Sequence, residues 1–283
     1  MNLSIQALIA THSSQLQATL TLDYSTARIE IQSLLQAVLQ VNRAYLFAHP
    51  ERVLNVDEMA RYDELFERRL GGVPIAYLLG EREFFGLNFK VTPATLIPRP
   101  DTELLVELAL QKVPQQGVCS VLDLGTGSGA IALSIAHARP GVEVVAVDAS
   151  ETALQVAQEN QEKLNIKNVK FLLSDWFAAL GQQRFDVIVS NPPYVESADV
   201  HLTQGDARFE PLSALASGAD GLEDIRCIGA QARLRLNPQG WLMLEHGYNQ
   251  AERVRSILLQ AGFQKVFSSR DLAGVERVTG GCA

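Results

Sequence analysis

A glycine-rich stretch at residues 123–130, Asp-Leu-Gly-Thr-Gly-Ser-Gly-Ala, has the composition of a turn that binds a ligand. It lies where the apolar run 118–124 gives way to a helical pattern, and glycines let the backbone turn sharply and approach a ligand closely. The helix that follows presents free N–H donors at its N-terminus. Gly125, Gly127 and Ala130 also match the dinucleotide fingerprint in its G/A form. A tight turn that binds nothing is the alternative, but the strand-to-helix context favours a ligand.

A carboxylate at the end of the next apolar run supports a ligand that carries a ribose. Asp148 ends the run 142–148 and follows Gly125 at the spacing of about 20 residues that ribose-binding carboxylates have. We therefore expect Asp148 to accept hydrogen bonds from a pair of ribose hydroxyls. The glycine turn and this carboxylate together predict a nucleoside-bearing ligand.

Two details favour S-adenosylmethionine over NAD as that ligand. Asp123 precedes the turn, where many methyltransferases hold a carboxylate towards the cationic methionine end, and a pyrophosphate there would meet unfavourable charge. Ser174, Asp175 and Trp176 follow the third apolar run, where an adenine is expected. Asp175 offers an acceptor for the exocyclic amine, and Trp176 offers an aromatic face. The alternative is that Asp175 caps a turn and Trp176 packs in the core. Their position at the carboxyl end of a strand favours ligand binding.

The tetrapeptide Asn191-Pro192-Pro193-Tyr194 follows the apolar run 185–190 and suits the methylation of a planar nitrogen. The lone pair of a carboxamide or an exocyclic base amine is tied up in resonance, so two acceptors must hold its N–H bonds and aim the nitrogen. The Asn191 side-chain oxygen is one acceptor and the Pro192 carbonyl is the other, because proline fixes φ and holds that carbonyl in place. Tyr194 would cover the planar group and screen it from water. A rigid proline loop without such a role is the alternative.

The elements around these motifs predict an α/β domain. From residue 118 onward, short apolar runs alternate with helical patterns, which is typical of a mainly parallel sheet with helices on both faces. The helices are predicted at 130–138, 151–164, 222–236 and 250–261. The chain after Ala261 has a weaker, strand-rich pattern that favours antiparallel strands at the edge of the sheet.

The first 80 residues have helical patterns throughout. Apolar residues recur at three- and four-residue steps from Ala27 to Leu46, and Asp57 is expected to cap a further helix that ends at Gly71. Residues 81–91 alternate around Gly86 as in a hairpin, and three prolines extend the chain beyond it. We place a small all-α helical bundle at 1–80 and a second domain at 81–283, with the hairpin and linker at 81–101.

Composition excludes several classes of protein. The 283 residues include 24 Lys and Arg against 32 Asp and Glu, and the net charge of -8 argues against a protein that mainly wraps duplex phosphates. The 3 cysteines form no C-x-x-C pair, so we expect no metal site. No apolar run reaches the roughly 18 residues of a membrane span, and the start lacks the basic residues of a signal peptide. These features predict a soluble, cytoplasmic protein.

Three stretches together resemble the HemK/PrmC release-factor glutamine methyltransferases: residues 92–103 (Thr-Pro-Ala-Thr-Leu-Ile-Pro-Arg-Pro-Asp-Thr-Glu), residues 123–129 and residues 191–194. Residues 208–211 (Arg-Phe-Glu-Pro) and the helical N-terminal segment fit the same family, so the resemblance covers nearly the whole chain. It implies a Rossmann-like seven-stranded class I methyltransferase domain after the helical bundle. It also implies methyl transfer from S-adenosyl-L-methionine to the side-chain amide nitrogen (N5) of the glutamine in the Gly-Gly-Gln loop of peptide chain release factors, leaving S-adenosyl-L-homocysteine.

The resemblance also assigns roles to individual residues. Target-glutamine contacts fall on Asn191, Pro192, Pro193 and Tyr194. We further expect a monomer whose N-terminal helices dock the release factor and which binds no nucleic acid, membrane or metal directly. A bundle without a docking role fits the N-terminal pattern equally well. The implied cofactor contacts are Gly125, Thr126, Gly127, Ser128, Gly129, Asp148, Trp176 and Asn191.

Three other functions remain open at this point. A nucleic-acid methyltransferase acting on N6 of adenine or N2 of guanine would use the same tetrapeptide, but it needs a basic channel for the strand. An NAD-dependent oxidoreductase would use the glycine fingerprint, yet no acid or base for hydride transfer can be assigned. A non-catalytic binder of translation factors would form the complex without methyl transfer.

Overall fold

A computed structural model describes residues 3–283 and divides the chain into two compact units. The first unit ends at Gly80, and the second runs from Glu81 to Ala283. Residues 1 and 2, which the predicted N-terminal domain includes, lie outside the described residues. Within residues 3–283, no helix is both long and apolar enough to cross a membrane.

The first unit is helical, as its sequence pattern predicts. Apolar residues at helical spacing, among them Leu8, Ile31, Leu35 and Tyr62, are completely buried and form its core. Such a stripe forms a core when helices pack their apolar faces together. The helices are α1 (Ile5–Leu20), α2 (Tyr24–Leu39), α3 (Arg43–Ala48), α4 (Val56–Leu70) and α5 (Ile75–Leu79).

Two details of this unit differ from the sequence-based expectation. The apolar stripe expected to continue to Leu46 is divided, because α2 ends at Leu39 and Leu46 belongs to α3. Gln40, the C-cap of α2, has a left-handed φ of 52°. Asp57 does not cap α4. Asn55 does, and its side chain and that of Glu58 form a capping box in which each accepts from the other's backbone N–H.

The second unit begins with the hairpin expected around Gly86. Strands β1 (Glu81–Phe84) and β2 (Leu87–Lys90) pair antiparallel. Gly86 has a φ of +76°, which glycine adopts without strain. Phe84 and Phe89 are buried and pack edge to face with their ring centroids 6.2 Å apart.

A seven-stranded sheet forms the rest of the unit, in the order β5-β4-β3-β6-β7-β9-β8. Strands β3 to β7 are parallel, and β9 pairs antiparallel with β7 and β8. This confirms the predicted fold class, including the antiparallel edge. The strands are β3 (Ser120–Leu124), β4 (Glu143–Asp148), β5 (Val169–Leu173), β6 (Phe185–Ser190), β7 (Leu236–Glu245), β8 (Gln264–Arg270) and β9 (Glu276–Cys282).

Helices cover both faces of this sheet. Successive residues of β6, Val187 and Ile188, belong to different core clusters, one shared with α6 and α7 and the other with α9 and α10. Helix α6 is not among the four helices predicted for this domain, and β7 begins at Leu236, where the helix expected at 222–236 was to end. The helices are α6 (Glu103–Lys112), α7 (Ala130–Ala138), α8 (Glu151–Lys163), α9 (Glu223–Arg235) and α10 (Ala251–Gln260).

The sheet order explains why the sequence motifs converge. Strand β3 lies between β4 and β6, so the direction in which successive strands are added reverses beside it. In open α/β sheets a crevice forms at the carboxyl ends of the strands at this reversal. The glycine turn, Asp148 and Asn191 all follow or end strands at that edge.

Candidate active site

A cavity of about 670 Å³ opens at this edge of the sheet, within the size range of small-molecule sites. The turns after β3, β4, β5 and β6 form one wall, and residues 93–99 with Thr102 form another. Of the residues predicted from the sequence, those that line the cavity are Gly125, Thr126, Gly127, Ser128, Asp148, Asp175, Trp176, Asn191 and Pro193. Asp123, Gly129, Pro192 and Tyr194 lie outside this lining, so their contacts with a ligand stay predictions.

Backbone hydrogen bonds fix the glycine turn against β4. The N–H groups of Gly125 and Thr126 both donate to the Val147 carbonyl at 2.9 Å, and the Gly127 N–H donates to Asp148 Oδ2 at 2.8 Å. Gly125 and Gly127 have φ values of +71° and +56°, the left-handed region that favours glycine. A side chain on Gly125 would stand 3.5 Å from the Trp176 indole, so that ring lies against the turn.

Gly129 serves packing. Its φ is +83°, and a Cβ there would stand 2.9 Å from Leu133 Cδ1 and 3.2 Å from the Ala157 Cβ. Leu133 belongs to α7 and Ala157 to α8, so the missing side chain allows these helices and the turn to pack closely.

Asp123 is completely buried behind Thr126, whose hydroxyl donates to Asp123 Oδ2 at 2.6 Å. Burial raises the pKa of this carboxyl to about 7, although the Thr126 hydrogen bond lowers it. Its second oxygen, Oδ1, accepts no hydrogen bond of ordinary geometry from the described residues. The carboxyl therefore titrates near neutral pH inside the wall of the cavity, and a cation bound nearby would favour its ionised form.

Asp148 lines the cavity with a carboxylate that the backbone holds in place. Oδ2 accepts from Gly127 and Oδ1 accepts from the Ser150 N–H at 2.9 Å. Each carboxylate oxygen retains a further lone pair for a ligand. Burial raises the pKa of Asp148, and these backbone hydrogen bonds oppose that shift.

The turn after β5 holds Trp176 in an unusual backbone conformation. Trp176 has a φ of 43°, and the buried Ser174 hydroxyl donates to the Trp176 carbonyl at 2.9 Å while it accepts from the Ala179 N–H. The Ser174 N–H donates to the Asp148 carbonyl, which joins this turn to β4. The half-buried indole and the exposed Asp175 carboxylate are therefore held side by side at the cavity wall.

Asn191 presents the feature on which the chemistry of the site depends. Its side-chain nitrogen Nδ2 donates to the Thr102 hydroxyl oxygen at 3.3 Å. Its oxygen Oδ1 is buried and accepts no hydrogen bond from the residues described. Because buried polar atoms in native proteins nearly always have a partner, an unpaired acceptor at a cavity wall indicates a donor that arrives with a ligand.

Tyr194 turns to the interior beside this loop. Its hydroxyl donates to Glu245 Oε1 over 3.4 Å, and its carbonyl accepts from Gln250 Nε2 at 2.9 Å. Its N–H donates to the Leu215 carbonyl, so the backbone of residue 194 is held from both sides. Burial raises the pKa of Tyr194, and the hydroxyl stays protonated at neutral pH.

Sequence reasoning left the supports of the second wall undecided. Glu210 is buried, its carboxylate accepts from the Ile97 N–H at 3.1 Å, and it forms an ion pair with Arg99. It therefore fixes the segment 93–99. Thr102, the N-cap residue of α6, makes no capping hydrogen bond and contacts Asn191 instead.

Asn160 is a further support, which reasoning from the sequence did not identify. It is completely buried in α8, and its Nδ2 donates to the carbonyls of Lys90 and Ser128, both at 2.9 Å. Its Oδ1 accepts from the Lys90 N–H at 2.6 Å. One side chain thus joins the hairpin to the glycine turn, a link that helical periodicity does not reveal.

Comparisons with known proteins agree along the chain. Residues 9–80 match the family model of the PrmC N-terminal domain, and residues 100–210 match the methyltransferase small domain. Over 266 residues the chain is 48% identical to the release factor glutamine methyltransferase of Escherichia coli (strain K12), a match that covers 94% of each protein. Over 260 residues it is 49% identical to the Bordetella pertussis protein of the same name, covering 92% of this chain and 96% of that one.

A solved structure supports the fold. A methyltransferase from Pyrococcus furiosus is similar with a TM-score of 0.53 at 20% identity, covering 76% of this chain and 95% of that chain. At this identity the likeness shows a shared architecture of the second unit and nothing about its substrate.

Replacing Gly129 by alanine is expected to destabilise the second unit. The new Cβ would collide with Leu133 at a φ of +83°, and overpacking of this kind costs about 1–3 kcal/mol. Urea unfolding measures the loss. Gly141→Ala is the matched control, because its Cβ meets no described atom within 4 Å and its φ is not in the left-handed region. Equal stability of the two variants would contradict the packing role of Gly129.

Proposed function

The chain belongs to the release factor glutamine methyltransferase family, and from this premise we propose that it methylates the side-chain amide nitrogen of a glutamine in a peptide chain release factor, with S-adenosylmethionine as the methyl donor. One observation carries the proposal for this site: the buried and unpaired Asn191 Oδ1 at the wall of the cavity. A carboxamide target brings the N–H group that this oxygen lacks.

The residues of the cavity fit S-adenosylmethionine. Asp148 retains lone pairs for two ribose hydroxyls, and the Trp176 indole gives an adenine a face for stacking beside the Asp175 carboxylate. A Cβ on Gly127 would meet no described atom within 4 Å, so the turn leaves open space in front of its backbone. The Asp123 carboxyl behind Thr126 offers negative charge to the cationic end of the cofactor.

The bound cofactor would supply a methyl group on a positively charged sulfur, which makes the methyl carbon electrophilic. The chain then has to aim an amide nitrogen at that carbon. Asn191 Oδ1 accepts one N–H of the target amide, and we propose the main-chain carbonyl of the buried Pro192 for the other. Orientation of this kind can contribute several kcal/mol, with an upper range of about 7–11 kcal/mol for ideal alignment.

A strong general base is unnecessary for this reaction. An amide that has gained a methyl group on nitrogen is acidic enough to lose its proton to water or to a nearby acceptor. The lining of the cavity accordingly combines hydrogen-bond acceptors with apolar side chains. The apolar side chains include Pro93, Pro98 and Pro193. The work of the site is to orient the amide and to exclude excess water.

We propose that the substrate glutamine is that of the Gly-Gly-Gln loop, and that the first unit docks the release factor. The net charge of -8 supports a protein target over a nucleic acid, whose phosphates would be repelled. A nucleic-acid exocyclic amine is the second candidate, because the same oxygen of Asn191 would hold it.

Mass spectrometry of a purified release factor incubated with the chain and S-adenosylmethionine tests the function. We expect a gain of one methyl group on the glutamine of the Gly-Gly-Gln loop. A release factor in which that glutamine is replaced by glutamate is the control, because it has no amide nitrogen to methylate. Transfer of radiolabel to DNA or ribosomal RNA, with none to the release factor, would favour the second candidate.

Asp148→Ala is expected to weaken the binding of S-adenosylmethionine at least tenfold. The variant loses a carboxylate acceptor, and a hydrogen bond to a charged group contributes about 1.5–3 kcal/mol. Calorimetric titration measures the affinity, and thermal unfolding shows whether the variant folds, since Asp148 also holds Gly127 and Ser150. Unchanged affinity in a folded variant would contradict the ribose-binding role.

Asn191→Ala is expected to slow the chemical step and to change binding little. The glycine turn, Asp148 and Trp176 stay intact, whereas the amide nitrogen is no longer aimed. Loss of one preorganised contact typically lowers the rate about 10²–10³-fold. Single-turnover methylation with both substrates saturating measures this rate, and Asn88→Ala, an exposed position on β2, is the control. A folded Asn191→Ala variant that binds both substrates and methylates at the wild-type rate would refute the role of Asn191.

A further inference from the structure

Glu245 is a carboxyl group buried beside the catalytic loop, and the proposed reaction does not use it. It is the last residue of β7, the strand next to β6, and only 2% of it is exposed. It does not line the cavity. Its Oε1 accepts from the Tyr194 hydroxyl over 3.4 Å, which is long for a hydrogen bond between oxygens. Its Oε2 has no well-formed hydrogen bond among the described residues, so the carboxyl has spare capacity to accept.

Thr102 connects this carboxyl to Asn191. The Thr102 oxygen accepts from Asn191 Nδ2 at 3.3 Å, so the hydroxyl proton is free to point elsewhere. Thr102 lowers the pKa of Glu245, so its hydroxyl lies near the carboxyl, although no hydrogen bond of ordinary geometry joins the two groups. A series of hydrogen bonds from the Asn191 amide through Thr102 to Glu245 then requires only that the Thr102 hydroxyl turn its proton towards the carboxyl.

The direction of these hydrogen bonds matters for the reaction. An Asn191 side chain that donates through Nδ2 to Thr102 must present Oδ1, its only acceptor, on the other side. A rotated amide would present NH₂ to the target nitrogen, which also carries hydrogens, and would not hold it. Whether Thr102 accepts a hydrogen bond from Asn191 or donates one to it thus decides which group of Asn191 faces the substrate.

We propose that Glu245 is a positioning residue for methyl transfer: its ionised carboxylate accepts from Thr102 and Tyr194 and thereby holds the Asn191 oxygen and the 191–194 loop towards the target amide. This inference rests on the proposed function. Contacts of 3.3–3.4 Å in the free site are expected to shorten when substrate binds, as catalytic hydrogen bonds often do.

The proposal implies a dependence on pH, because a protonated Glu245 must itself donate to one of its two hydroxyl neighbours. Burial raises the pKa of Glu245 to about 7, while Thr102, Arg277 and Tyr194 lower it and Asp101 raises it. Arg277 on β9 is itself paired with Asp101 and Asp271, at 3.2 and 3.1 Å. Methyl transfer is therefore expected to slow as the pH falls below about 7.

Glu245→Gln tests the proposal, because it keeps the shape of the side chain and removes the charge. We expect the single-turnover rate at pH 8 to fall about 10–100-fold, as when the outer partners of metal ligands are lost, while the affinity for S-adenosylmethionine stays the same. The rate of the variant should also lose the wild-type dependence on pH between 6 and 8. Asp186→Asn is the matched control, a carboxylate-to-amide change at the opposite end of the neighbouring strand β6 that should leave the rate unchanged.

Stability gives a readout that does not depend on activity. A folded-state pKa above the ordinary value of 4.5 means that the folded protein binds more protons than the unfolded chain between about pH 4.5 and 7. The stabilising effect of the protonated form is present below pH 4.5 and is lost as the pH rises through 7. The unfolding free energy of the wild type minus that of Glu245→Gln should therefore decrease over this range. Taking the difference removes the contribution of Asp123, the other buried carboxyl near neutrality.

The outcomes separate this inference from the proposed function. If the wild-type protein methylates no release factor, the proposed function fails, and the stability difference still reports how Glu245 titrates. If the wild type methylates and Glu245→Gln does so at the same rate and with the same pH profile, the positioning role is refuted. A lower rate accompanied by equally weakened cofactor binding would also refute it, because that result indicates a general structural defect.

Discussion

The unpaired oxygen of Asn191 at the wall of the cavity constrains the structure around it. Leaving a buried acceptor without a partner costs about 1–3 kcal/mol, and a flexible loop would relieve that cost by turning the group to water. Asn191 Oδ1 stays unpaired because Nδ2 is engaged by Thr102 and because prolines follow on the chain. The hydrogen bonds of Tyr194 to Leu215 and Gln250 hold the far end of the same loop. The rest of the domain supplies the free energy that keeps this acceptor prepared for a substrate.

Sheet order then determines which groups can meet that acceptor. Because β3 lies between β4 and β6, the turns that follow these strands are neighbours in space although they are far apart in sequence. Backbone groups hold each turn to the next: Val147 accepts from the glycine turn, and the Asp148 carbonyl accepts from Ser174. Most of these contacts involve main-chain atoms, which have little freedom to rearrange. The cavity is therefore largely formed before any ligand enters, which lowers the entropy lost on binding.

The sequence predicted the parts of this arrangement that depend on local pattern. Short motifs at strand ends identified Gly125, Asp148, Trp176 and Asn191, all of which line the cavity, and the resemblance to the family is confirmed by the relatives. The sequence could not show that Gly129 serves packing, because that depends on Ala157 in the next helix. It missed Asn160, whose partner Lys90 lies 70 residues away, and it left the role of Glu210 open, whose partner Arg99 lies 111 residues away. A charged residue at the end of an apolar strand, as in Gly-Trp-Leu-Met-Leu-Glu at residues 240–245, was the available signal for Glu245.

The positive charge of the methyl donor, and the charge that develops on the target nitrogen, explain why the side chain at position 191 is neutral. An aspartate there would add another buried carboxyl beside Asp123 and Glu245, and burial already raises the pKa of both to about 7. Its charge would attract a cationic methyl donor before the reaction begins, and binding of the ground state does not lower the barrier of the chemical step. An amide oxygen interacts weakly with the neutral target and more strongly once the nitrogen becomes positive. Asparagine thus attracts the target nitrogen where positive charge develops, whereas the carboxyls of Asp123 and Glu245 lie outside the lining of the cavity.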